Sequence, residues 1–237
     1  MAQTTKTTLQ RKFPRQFFHF EDIFERSNKP PLVKGTMGTS ISIGGKGVSW
    51  SRLSESVHGH INLKGEHLKL MGLNLDNIIR KLNRTQNFNL VDVGAVIVAG
   101  PLGLLVSKGA DVSSLLINKK HDSTEIVHLV SEWNIEKGIM ELSDVAFSTP
   151  KNRVAAKGKY SFPTDSIAIV IAVVDKKGKI ELQQTIAGTA KHPRLSDFKP
   201  LKAILKPVGN LFDDVLFIKG ATFYDGKVLP PQNKKNN

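Results

Sequence analysis

The chain has 237 residues, 40% of them hydrophobic and 23% charged, enough for one large β domain or two small ones. It has no cysteine, which excludes disulfides and thiolate metal sites. Its net charge of +13 is spread along the chain with a surplus at both ends. That balance points to anionic partners, either phospholipid headgroups or nucleic acid, or to a plain solvated basic surface. No dense Lys/Arg stripe marks a groove binder. The first 30 residues lack the apolar core of a signal peptide. The longest uncharged apolar run, Val93–Val106, contains Gly100-Pro101 and falls short of the roughly 17–25 residues of a spanning helix.

In chain order, residues 1–30 read as a basic, Phe-rich mobile lead. Phe17, Phe20 and Phe24 have the spacing of a short amphipathic helix, which either packs on the main domain or lies on a membrane surface. Pro30-Pro31 ends it. Leu32–Ile43 and Val48–Arg52 read as strands around Gly44–Gly47. That loop has a phosphate-cradle look, but Gly47 follows Lys46 where Ser or Thr is required, and Ser40 stands where a glycine should. Val57–Leu63 and His67–Leu70 read as a hairpin around Lys64-Gly65-Glu66. His58 and His60 share a strand face, yet no third ligand has convincing spacing, so no metal site is expected. Leu75–Arg84 reads as a helix with Asn74 as N-cap and Leu75, Ile78, Ile79 and Leu82 on one side. Asn89–Leu116 is apolar and broken by Gly94, Gly100-Pro101 and Gly109, and predicts two short helices. They either plug the domain or form a lip that touches lipid.

The stretch from Ile126 to Gly188 organises the chain. It predicts five strands: Ile126–Glu136, Ile139–Phe147, Arg153–Phe162, Asp165–Val174 and Lys179–Ala187, separated by Gly, Pro, Asn and Asp turns. Period-two alternation with short turns pairs Tyr160 with Ile167, Ala156 with Ile171, Val154 with Val173, Trp133 with Leu142 and Ile135 with Met140. A two-residue turn at Pro163-Thr164 sets Phe162 opposite Asp165. One extra residue at Ser143-Asp144, a β-bulge, keeps Val145 and Phe147 on the same side. Ile180, Leu182 and Ile186 join that face. Glu132, Glu136, Lys157, Lys159, Glu181 and Gln183 point away. The fourth strand departs from simple alternation, because Ala168, Val170, Ala172 and Val174 make its second face apolar and require a cover. Beyond Gly188, short helices are expected at Leu201–Lys206 and Val208–Phe217. A last strand is expected at Phe223–Val228, before a disordered tail.

Catalytic constellations are missing. There is no nucleophile elbow, no His–Glu metal motif and no dinucleotide fingerprint, and Asp213-Asp214 reads as a solvated pair. The expectation is a non-enzyme without cofactor, metal or small-molecule substrate.

A family resemblance rests on a series of pieces in order. Ile61-Asn-Leu-Lys-Gly65, then Leu68-Lys-Leu-Met-Gly-Leu-Asn-Leu-Asp-Asn-Ile-Ile-Arg80, resembles the strand–strand–helix step of the AsmA family. Trp133-Asn-Ile-Glu-Lys-Gly138, Asp144–Gly158 with its Thr149-Pro150, and Gln184-Thr-Ile-Ala-Gly-Thr-Ala-Lys-His-Pro193 resemble that family's C-terminal order of strands. Asn87–Ala95 and Ala99-Gly-Pro-Leu-Gly103 look like the insertion of one AsmA-like subgroup. The likeness covers roughly residues 50–200. It implies a periplasmic, inner-membrane-associated envelope protein of Gram-negative-type bacteria, with a β-groove linked to phospholipid movement and outer-membrane assembly. The family's N-terminal anchor and most of its long groove have no counterpart here, so the chain looks like the C-terminal part of such a protein.

Together these readings predict a mainly β (α+β) fold: a curved antiparallel sheet or groove, with short helices covering one face or end. The domain is expected over 31–200, with a helical insertion at about 75–116 and a helical or irregular segment over 201–237. Trp133, Leu142, Phe147, Val154, Ala156, Tyr160, Ile167, Ile169, Ile171, Leu182 and Ile186 are the expected lipid-facing residues. The expected partners are phospholipid or an anionic membrane surface, with other envelope proteins as a second class and nucleic acid disfavoured. A structural or partner-docking end domain without lipid binding is the alternative.

Overall fold

The computed structural model describes residues 7–19, 33–71, 74–82, 123–190, 192–195, 199–200 and 221–231. They form an open, curled, antiparallel sheet with two helices. The strands are β1 (Thr7–His19), β2 (Val33–Lys34), β3 (Thr36–Gly47), β4 (His58–Met71), β5 (Ser123–Glu136), β6 (Ile139–Ser148), β7 (Arg153–Ser161), β8 (Ser166–Val174), β9 (Ile180–Thr189), β10 (Pro193–Leu195) and β11 (Lys199–Pro200). The helices are α1 (Trp50–Ser56) and α2 (Leu75–Leu82). The path runs β1-β3-β4-β5-β6-β7-β8-β9-β10, with β2 on β4 and β11 on β9.

The five-strand meander forms as its alternation dictates. Trp133 pairs with Leu142 and Ile135 with Met140, and Ser143 is the extra residue between Glu132↔Asp144 and Trp133↔Leu142. Tyr160↔Ile167, Ala156↔Ile171 and Val154↔Val173 hold across β7 and β8. The β7–β8 turn is longer than two residues: Ser161↔Ser166 closes the ladder, and Asp165 adopts a φ of 53° inside the turn. Ile180 is a correction. A register shift between Val173↔Leu182 and Val174↔Ile180 makes Glu181 a bulge, and that extra residue flips Ile180 to the opposite face.

The N-terminal half departs further from expectation. Residues 7–19 of the supposed mobile lead form β1, which pairs along β3 from Thr7↔Gly47 to His19↔Thr36. A strand here satisfies a row of β3 backbone groups, which an isolated short helix would leave open. Pro14 falls within the register shift between Phe13 and Gln16, where its missing N–H need not break a ladder bond. The remainder of the expected helix, with Phe20 and Phe24, lies outside the described residues.

Val48–Arg52 is not a strand, because Ser49 caps α1: its hydroxyl accepts from the Arg52 amide at 3.3 Å. The glycine run before it is the end of β3. A Cβ on Gly47 would lie 2.3 Å from the Leu53 amide nitrogen, so glycine lets α1 fold back onto its own strand.

The expected hairpin at Lys64–Glu66 is one continuous strand, because β5 pairs with β4 from Gly59↔Ile135 to Met71↔Ser123. Gly65 leaves room for a neighbour rather than for a turn. A Cβ there would lie 2.7 Å from Cδ1 of Leu68, which is buried.

Helix α2 starts as read, with the Asn74 side chain accepting from the Asn77 amide at 2.9 Å. Its first amide also donates to Thr124 Oγ1 at 2.7 Å. Asp76 accepts from Thr149 Oγ1 at 2.5 Å and from Asn152 Nδ2 at 2.6 Å, which fastens α2 to the β6–β7 turn. The helices expected within 89–116, 201–206 and 208–217 lie outside the described residues. Phe223–Val228 is irregular rather than a strand, and it lies on the sheet's outer face.

Candidate functional site: the apolar inner face

Alternation on each strand, plus the bulges, brings one set of apolar side chains to the inner face of the curl. All eleven expected lipid-facing residues fall in a single buried cluster: Trp133 on β5; Leu142 and Phe147 on β6; Val154, Ala156 and Tyr160 on β7; Ile167, Ile169 and Ile171 on β8; and Leu182 and Ile186 on β9. None is more than 8% exposed. Ile61 and Leu63 of β4 extend the cluster. Polar tips within it are met locally. Trp133 Nε1 donates to Ser131 Oγ at 2.7 Å, and the Tyr160 hydroxyl donates to Asp165 Oδ1 at 2.9 Å. Gln184, buried opposite Ile171, is the one long polar side chain that β5 to β9 direct to this face.

The two ends of the face differ. At the α2 end, Leu75 and Ile79 are buried in the same cluster and close it. At the α1 end its members are looser: Ile41, Ile43, Val57 and Phe162 pack against the cluster but are only half-buried.

The outer face carries a constellation that the sequence reading missed. The doubly apolar β8 is covered there by residues 221–231, with Phe223, Tyr224 and Val228 clustering with Ala146, Ala155, Ala172 and Val170. Buried Arg153 fastens this segment. Its guanidinium donates to the carbonyls of Val228 at 3.1 Å, Asp175 at 2.7 Å and Lys176 at 3.3 Å, and lies 5.4 Å from the Tyr224 ring centroid. The Tyr224 hydroxyl donates to Asp144 Oδ1 at 2.8 Å and accepts from the Val228 amide at 2.9 Å. Lys227 reaches the Glu132 carboxylate, which Lys64 also approaches at 3.4 Å. Burial alone would raise the Glu132 carboxyl, but hydrogen bonds and charge from Lys227 and Lys64 outweigh it and hold the group below its ordinary value. Burial likewise draws Arg153 down, partly offset by nearby negative groups. The only early signal was one Arg at the head of a strand whose outward neighbour is Ala155. Its partners come from about 20 and 75 residues further on. These groups are spent in holding residues 221–231 and the β8–β9 turn to the sheet, so the constellation is a clasp.

Both tyrosines of the chain are buried. Burial, then Asp165, pushes the Tyr160 phenol up to about 12, and burial raises Tyr224 as well. Unfolded tyrosines ionise near about 10. The unfolded state therefore sheds protons first, so stability is full below about pH 10 and falls as pH rises toward the folded values. The expected result is no tyrosinate absorbance at about pH 10 while the fold persists, followed by its appearance together with unfolding. Ordinary titration of both phenols in the folded protein would contradict this placement.

Among the described residues no group of three or more His, Asp or Glu could hold a metal ion, and no helix is long and apolar enough to cross a membrane. His58 and His60 are both exposed, and His58 Nδ1 lies 3.0 Å from the Ser56 carbonyl. No family model, no curated protein and no solved structure matches the chain.

Proposed function

We propose that this chain is a non-enzymatic, AsmA-like envelope component whose curled sheet offers a groove to phospholipid acyl chains. One observation carries the reading: from β5 to β9 the inner face is apolar apart from Ser131 and Gln184 and bears no charged side chain. The ordered motif pieces between residues 61 and 193 support it independently. Each buried methylene stabilises a bound chain by about 0.8 kcal/mol, so about ten covered carbons suffice for micromolar affinity. In this reading the periplasm is the compartment, phospholipid the ligand, and other envelope proteins the further partners.

The deep burial of all eleven residues favours a second reading, a closed structural end domain that docks on partners. Mass spectrometry of the purified, folded protein separates the two. Co-purified phospholipid is expected at a stoichiometry that survives salt. Lipid-free protein that co-purifies with envelope proteins supports the end domain. Binding to nucleic acid that falls steeply with salt, without lipid, would overturn both.

A further inference from the structure

The chain's two tryptophans are opposites: Trp133 is fully buried, whereas Trp50 is 73% exposed. Val48, two residues away, is also exposed. Both sit at the corner where β3 ends and α1 begins, and that corner belongs to a continuous rim. The Gly138 amide of the β5–β6 turn donates to the Val57 carbonyl at 2.8 Å, the Phe162 amide to the Gly138 carbonyl at 2.9 Å, and the Ala190 amide to the Asp165 carbonyl at 3.1 Å. These bonds tie α1 and the successive strand ends into one edge. It is also the end where the inner-face cluster loosens, through half-buried Ile43, Val57 and Phe162.

Exposed Lys46, Arg52, Lys137 and Arg194 lie on this rim, against exposed Glu55 and Glu136, and Glu55 accepts from the Ser51 hydroxyl at 3.4 Å. An exposed indole and a valine among an excess of bases match the headgroup layer of an anionic bilayer. There an amphipathic ring is favoured over bulk water, and Lys and Arg meet negative charge.

We infer that the α1 rim is a membrane-docking surface, with Trp50 and Val48 inserting at the headgroup level of an anionic phospholipid bilayer and holding the looser end of the inner face against it. This rests on the lipid-groove reading for its purpose, but not for its test.

The full chain is tested on vesicles of phosphatidylcholine with phosphatidylglycerol, with and without brominated acyl chains. Brominated lipid should quench a tryptophan signal that is absent from Trp50→Phe. Trp50→Ala should lower vesicle retention about tenfold, because it removes one aromatic anchor. Arg52→Gln should lower retention about fivefold, and only when the anionic lipid is present. Neither change should move the melting temperature, since both side chains are exposed. Retention that Trp50→Ala leaves unchanged overturns the rim assignment, whatever lipid co-purifies. So does a Trp50-dependent self-association with no quenching, which would make the rim a contact between copies of this chain. Trp50-dependent retention by a protein that carries no co-purified lipid upholds the rim and removes the groove reading.

Discussion

Ile171→Asp is expected to abolish lipid capture and to unfold the sheet. Ile171 is 1% exposed in the middle of β8, with Ala156 and Gln184 as its cross-strand neighbours. An aspartate there must either keep an unpaired charge in an apolar cluster or hold its proton against its ordinary preference. The expected cost is on the order of 4–5 kcal/mol, a large fraction of the ~5–15 kcal/mol that holds a domain folded.

That variant alone does not separate a groove from a core, since both readings predict collapse. Ala156→Trp does. Ala156 is buried between Val145 on β6 and Ile171 on β8. If the face admits an acyl chain, the indole takes the chain's place: co-purified lipid is lost while the melting curve barely moves. If the face is packed protein, the indole overfills it at a cost of about 1–3 kcal/mol. A strong loss of stability in this variant, beside a lipid-free wild type, would sink the groove and leave the end-domain reading.

Arg153→Ala should release the segment 221–231 from the sheet. The substitution leaves the Val228 carbonyl without its buried donor and the Tyr224 ring without its cation, while the Asp175 carbonyl keeps the Gly178 amide at 3.0 Å. One orphaned buried acceptor costs about 1–3 kcal/mol, and a loss of about that size is expected. Lysine should not rescue it, because one ammonium cannot match a planar fork that reaches carbonyls on two separate segments. Hydrogen exchange gives the readout. The Phe223 and Tyr224 amides, bonded to the Gly178 carbonyl, should lose protection before the β7 and β8 amides do. Uncovering Ala146, Ala155 and Ala172 should also raise binding of an apolar dye. Unchanged exchange at Phe223 and Tyr224 would show that the clasp is held by its other contacts.

Much of the sheet was legible because its signals are local. Alternation of Val154, Ala156 and Tyr160 with Lys157 and Lys159 gives β7 one apolar face, and the short turn to β8 then sets Ile167, Ile171 and Val173 opposite it. The bulge at Ser143 could be read for the same reason: without it Val145 and Phe147 would lie on the opposite face from Leu142 and Trp133. Asn74 announced the start of α2 by its own side chain.

The failures share a different cause. β1 was misread because Phe17 and Phe20 fit a helical spacing, while the open edge of β3 that recruits this segment is not visible in residues 7–19 themselves. Gly47 and Gly65 looked like turn formers. They are places where a helix and a leucine come close, which depends on what lies opposite. Ile180 moved to the other face because of a bulge at Glu181 that no turn residue marks.

By itself, the sequence determined the meander, its register and the apolar face that β5 to β9 share, because each follows from period-two patterning between neighbouring strands. Only the tertiary structure decided what covers the second face of β8, how Arg153 fastens Tyr224 and Val228, and that the face closes at α2 and loosens at α1. Those outcomes depend on segments that meet across long stretches of chain, and pattern along a strand does not encode which distant segment will arrive.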